Sequence, residues 1–227
     1  MDLIVSSVPD LLRGLLVTIQ LMLCALAAGM LLSAPLGISW VEGVKPVRWL
    51  VSFYVTFFRG TPLLVQVFII YYGLGQLEGM RASIFWPIFR EPFFCAVLAL
   101  TLNTSAYTAN IIRGAILAIP YGEIEAGRAF GMNRIQLYRH VILPQAFRLL
   151  LPAYSNEVII MLKATSLAST ITIMDLTGVA ANIMSTTYRP FEMFFAAALF
   201  YVLVTFILTR LFKRIEKHVN KQFNPEW

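Results

Sequence analysis

The sequence predicts an all-α membrane protein of five transmembrane helices, and three observations carry that prediction. The 227 residues are 59% hydrophobic and only 13% charged, against about a quarter charged in soluble domains. Five apolar runs approach or reach the roughly 20 residues that a helix needs to cross a bilayer. No period-two alternation suggests a β-barrel and no segment is polar enough for a soluble domain, so residues 1–227 read as one membrane domain.

The first run covers about Leu15 to Ile38. A cleavable signal or lipoprotein box is not expected here: Asp2 and Asp10 replace the usual basic flank, the run is too long for a signal core, and Leu23 is too bulky to precede a lipidated Cys24. The second, about Leu50 to Leu74, is interrupted by Arg59-Gly60-Thr61-Pro62, where the proline lacks an N–H and crowds the preceding turn. The third spans about Phe93 to Ile112, the more polar fourth about Ala153 to Ile173, and the fifth about Phe194 to Phe212. Cys24 and Cys95 lie inside apolar runs and read as small buried hydrophobes rather than a disulfide or metal site.

With five spans the termini lie on opposite sides. Twelve basic residues fall in the first loop, the third loop and the tail, against three (Arg81, Arg90, Arg189) on the other side. The positive-inside rule then puts the N-terminus outside and the C-terminus in the cytoplasm. The formal charge of +6 follows from this topology, so no nucleic-acid partner is implied.

The longest cytoplasmic connection, about Gly114 to Pro152, is punctuated as two short helices. Pro120 and the acidic Glu123 and Glu125 mark a start, Gly131 a stop, Asn133 a cap and Pro144 the next stop. From the residues alone two readings stay open. The hairpin could join two spans, with Ile135, Leu137, Tyr138 and Val141 resting on lipid, or it could offer Glu125, Gly131 and its basic residues to a cytoplasmic partner.

The order Glu125-Ala126-Gly127, three residues, Gly131, nine residues, Val141-Ile142-Leu143-Pro144 resembles the EAA loop of bacterial ABC importer permeases. Gly127 stands where that family usually has a second Ala, and Val141 where it often has Ile. The stretches FFRGTPLLVQ (57–66), LTLNTSAYTANIIRGAI (100–116) and LPAYSNEVIIMLKATSLASTITI (151–173) extend the likeness to the polar amino acid uptake subfamily, nearest its histidine, arginine/ornithine and octopine permeases. The resemblance implies a type I importer permease fold and a coupling element of Glu125, Ala126, Gly127, Gly131, Leu143 and Pro144. It also implies a cytoplasmic ATP-binding subunit in two copies, a second membrane subunit that is a paralogue, and an external solute-binding protein. The chain itself has no G-x-x-x-x-G-K-[ST] loop, so it is not expected to be an enzyme; ATP and Mg belong to the partner, and no cofactor or metal is expected here.

Polar residues inside the spans are candidate substrate contacts. Asn156 and Lys163 lie seven apart on one helical face, with Glu157 and Ala164 on the adjacent one. Either Glu157 sits among headgroups, or it lines a mid-depth pocket between two permease subunits and meets a substrate ammonium. Arg59 could contact a substrate carboxylate or brace a neighbouring helix, and Asn103 and Asn110 suit interhelical hydrogen bonds. Relatives commonly carry an acid where Ala164 stands, and often Glu where Asn110 stands. Basic amino acids or opines are the expected substrates. An ion-coupled secondary carrier is the alternative; it would explain Glu157 and Lys163 but not the loop pattern.

Overall fold

The computed structural model describes residues 2–221, with side chains over residues 3–220. Every regular element among them is helical. Three helices are long and apolar enough to cross a membrane, and the number rises to five if each of two bent helix pairs counts as one span.

Helix α1 (Asp2–Glu42) is much longer than its apolar run and carries Pro9 and Pro35 without breaking. It packs mainly on α6 (Pro92–Leu117), the central helix. The seam is a four-residue repeat of small residues, Ala25, Gly29, Ser33 and Gly37, all buried. A Cβ added at Gly29 would lie 2.4 Å from Thr104 Cγ2, and one at Gly37 2.7 Å from Ile112 Cγ2. Lipid tails are as apolar as the seam, so this close backbone approach, rather than exclusion of water, joins the two helices.

The expected break in the second span is a sharp corner. Helix α2 (Lys45–Gly60) ends before Pro62, and α3 (Leu63–Phe68) restarts beyond it, continuing through a π turn (Ile69–Gly73) and a 3-10 turn (Leu74–Gln76). The two halves differ in direction by 102°. Short helices α4 (Glu78–Arg81) and α5 (Trp86–Phe89) lead into α6.

The hairpin begins with α7 (Tyr121–Ala129), whose N-cap is Pro120. It ends in a Schellman motif: Met132 N–H donates to Gly127 O (3.2 Å) and Gly131 N–H to Arg128 O (2.9 Å), with Gly131 at φ +77°. Asn133 then closes a capping box with Gln136 and starts α8 (Arg134–Leu137).

Pro144 does not stop this second helix, contrary to the sequence expectation. A π turn (Tyr138–Ile142) carries α8 directly into α9 (Leu143–Ala164). The wider turn relieves the collision between the proline ring and the carbonyl four residues earlier, and Pro144 then falls in the first turn of α9, where its missing N–H does least harm. The fourth span is therefore the far part of a helix that starts in the hairpin.

The lipid-resting version of the hairpin is also corrected. Leu137 is buried, and Tyr138 and Val141 pack on a cluster formed by Ile112, Ile116, Ile119 and Ile142; of the four residues only Ile135 stands out, 78% exposed. The hairpin is seated on the ends of α1 and α6, where Arg134 also pairs with Glu42 (2.6 Å).

After α9 a 3-10 segment (Thr165–Ile171) leads to α10 (Leu176–Thr187), bent 47° from it, and then to α11 (Pro190–Lys221). Asp175 caps α10 by accepting from Gly178 N–H (2.9 Å) and Thr177 N–H (3.3 Å). Cys24 and Cys95 are free thiols; Cys95 is buried as expected, whereas Cys24, against that expectation, is exposed, because no helix among the described residues covers its side of α1.

Candidate functional site

The α2–α3 corner generates the site. Residue 62 would normally donate its N–H to the Phe58 carbonyl; a proline cannot, which leaves that acceptor unsatisfied inside the bundle. Two side chains replace the missing donor: Gln66 Nε2 (2.8 Å) and Asn103 Nδ2 (3.2 Å) both donate to Phe58 O. Gln66 Nε2 also reaches Thr61 Oγ1 (2.7 Å), and Asn103 Nδ2 donates to Gln66 Oε1 (3.1 Å). Asn103 thus makes the interhelical hydrogen bonds expected of it.

With the corner fixed, a cleft of about 450 Å³ opens between it, α6 and α9. Its wall on the corner side is Arg59, Gly60, Thr61, Pro62 and Leu63; Glu157, Ile160 and Ala164 of α9 face it, and Asn103 and Tyr107 of α6 form the floor.

Glu157 is only 4% exposed, so it lies within the helix bundle. Its Oε1 accepts from Thr104 Oγ1 at 2.9 Å. Arg59 is exposed on the opposite wall and lies over the Tyr107 ring, 5.1 Å from its centroid. A cation and a carboxylate therefore share one cleft without a direct ion pair between them, an arrangement open to a ligand with both charges.

The structure brings together Arg59 and Glu157. Asn156 and Lys163 it does not: both are exposed on α9 and neither lines the cleft. Ala164 does line it, at the position of the missing acid. Sequence reasoning missed Thr104, Tyr107 and Gln66, although each lies in a stretch that carried the resemblance. It missed Asp175 as well; an Asp preceding an apolar helical run was the available signal.

On the hairpin, Glu125, Ala126 and Gly131 are exposed, whereas Gly127 is buried. A Cβ at Gly127 would lie 2.6 Å from Leu137 Cδ1, so this glycine lets the two arms of the hairpin close. Leu143 is exposed and Pro144 half-buried at the foot of α9. Phe130 at the tip is 86% exposed, an apolar side chain left uncovered by the described residues.

An all-helical membrane domain with a polar cleft between its spans and a rigid hairpin built beyond them is a transport permease in form. Residues 14–221 match the model of the family described as binding-protein-dependent transport system inner membrane component, and the chain belongs to that family. It is 50% identical over 206 residues to the octopine transport system permease protein of Rhizobium meliloti, covering 91% of this chain and 84% of that one. It is 44% identical over 205 residues to the histidine/lysine/arginine/ornithine transport system permease protein of Salmonella typhimurium, covering 90% and 87%. Among solved structures, an amino acid ABC transporter crystallised with histidines superposes with a TM-score of 0.85 at 37% identity, covering 94% of this chain and 96% of that chain. The chain is thus an inner-membrane component of a binding-protein-dependent ABC import system. That membership displaces the stand-alone carrier.

Proposed function

We propose that this chain forms half of the pathway of an ATP-driven importer for basic amino acids or opines. The observation that carries the substrate reading is the cleft in which the buried Glu157 carboxylate faces the Arg59 guanidinium. A zwitterionic amino acid offers its ammonium to the first and its carboxylate to the second. The likeness to permeases of octopine and of histidine, lysine, arginine and ornithine systems supports the same substrate class. Asn156 and Lys163, on the exposed face of α9, complete the pathway at the junction with the second membrane subunit, a paralogue.

The hairpin is the coupling element. Glu125, Ala126 and Gly131 present a surface to the cytoplasmic ATP-binding subunit, of which two copies serve the two halves of the pathway; Gly127, Leu143 and Pro144 shape and carry it. ATP and Mg bind on that subunit, whose closure rocks the spans. The charge asymmetry supports an outside N-terminus and a cytoplasmic hairpin. A solute-binding protein delivers substrate from outside.

The test is uptake of labelled arginine and octopine by the complete complex in proteoliposomes. Glu157→Gln lowers uptake by ~tenfold or more while lowering basal ATP hydrolysis much less. Equal loss of both, or transport by the chain without the ATP-binding subunit, overturns the reading.

A further inference from the structure

The geometry points to one turn of α6, Asn103 to Tyr107, as the ruler that sets the separation of cation and carboxylate across the cleft, with Gln66, Asn103 and Thr104 as positioning residues. The inference rests on the substrate reading above and adds what determines its selectivity: recognition of the α-amino acid head group by charge spacing.

Arg59 and Glu157 come from elements far apart in the chain, so their separation needs a common reference. Each is tied to the same helical turn. On the cation side, Asn103 Nδ2 donates to the carbonyl of Phe58, the residue just before Arg59, and to Gln66 Oε1 beyond the corner. One turn along α6, the Tyr107 ring supports the Arg59 guanidinium. On the anion side, Thr104, the residue after Asn103, donates to Glu157 Oε1. Adjacent residues of a rigid helix thus hold both walls.

Gln66, Asn103 and Thr104 are all buried, with exposures of 5%, 8% and 1%, so their hydrogen bonds face little competition from water. An α-amino acid carries its ammonium and carboxylate on one carbon, so that spacing is the same whatever its side chain. A cleft with rigid charge spacing reads this common feature and discriminates against a ligand lacking either charge.

The experiment is equilibrium binding of labelled arginine to the purified complex of this chain with its partner membrane subunit and ATP-binding subunits, with agmatine, arginine without its carboxylate, as competitor. The wild-type complex prefers arginine. Asn103→Leu, Gln66→Leu and Thr104→Val each weaken arginine binding by ~tenfold and narrow its margin over agmatine. Thr104→Ser, which keeps the hydroxyl, retains both. In an Arg59→Ala background, Asn103→Leu has no further effect on arginine, because it acts through Arg59.

An unchanged arginine-to-agmatine margin in Asn103→Leu, or a loss that adds to that of Arg59→Ala, overturns the ruler. If Asn103→Leu fails to fold, the Thr104 pair decides: Val and Ser giving the same margin has the same force. A wild-type complex that binds neither arginine nor octopine overturns the substrate reading, and the ruler with it. Arginine binding with unaltered selectivity in the variants overturns the ruler alone.

Discussion

Replacing Gly29 by alanine tests the link between helix packing and the cleft. The new Cβ would lie 2.4 Å from Thr104 Cγ2, whereas the next atoms, Ser105 N and Thr101 O, are 3.7 Å away. Carbon atoms rest at about 3.5–4.0 Å, so the Thr104 methyl must retreat by ~1 Å or more. Methyl and hydroxyl share one β-carbon, and a rotation that clears the methyl takes the hydroxyl away from Glu157 Oε1, now 2.9 Å from it.

Losing a hydrogen bond to a buried carboxylate costs ~1.5–3 kcal/mol; refusing the rotation leaves overpacking of ~1–3 kcal/mol. Both exceed the ~1 kcal/mol that alanine normally gains over glycine within a helix. Gly29→Ala therefore lowers the thermal unfolding midpoint of the detergent-purified complex and weakens arginine uptake. Adding Thr104→Ser removes the colliding methyl, keeps the donor and returns both to near wild type. Wild-type behaviour of Gly29→Ala, or no rescue by Thr104→Ser, would refute the reasoning.

Gly131→Ala meets no atom within 4 Å, yet its φ of +77° makes the substitution cost ~1–2 kcal/mol; co-purification of the ATP-binding subunit should fall while membrane insertion is unchanged, and full recovery of the complex counts against docking by the hairpin. Asp175→Ala removes the fully buried cap of α10 and a hydrogen bond from Tyr201 (3.4 Å), so the unfolding midpoint should drop by the equivalent of ~1–2 kcal/mol. Asp175→Asn, which still accepts from the helix N–H groups, should lose less, and an equal loss rules out capping as its main contribution.

Composition and run length were enough for the membrane class, because a bilayer demands long apolar helices and little else. Local punctuation was equally legible. Arg59 to Pro62 foretold the break, and Gly131 and Asn133 the hairpin turn, because proline and glycine act on their own backbone. Pro144 was misread for a physical reason: a π turn can absorb a proline when the flanking helix is held by packing, and that packing involves Ile112, Ile116 and Ile119 of another helix.

The sequence by itself determined a helical membrane permease with a charged hairpin and named Arg59 and Glu157 as polar groups within it. Only the tertiary structure decided which polar groups meet. Asn156 and Lys163 share a helical face but turn away from the cleft, whereas Gln66, Asn103 and Thr104 converge because α3, α6 and α9 pack around the corner. Helical spacing relates residues within one helix; the partner of a buried donor is set by which helix lies against it, and here that depends on how closely the small residues of α1 let α6 approach.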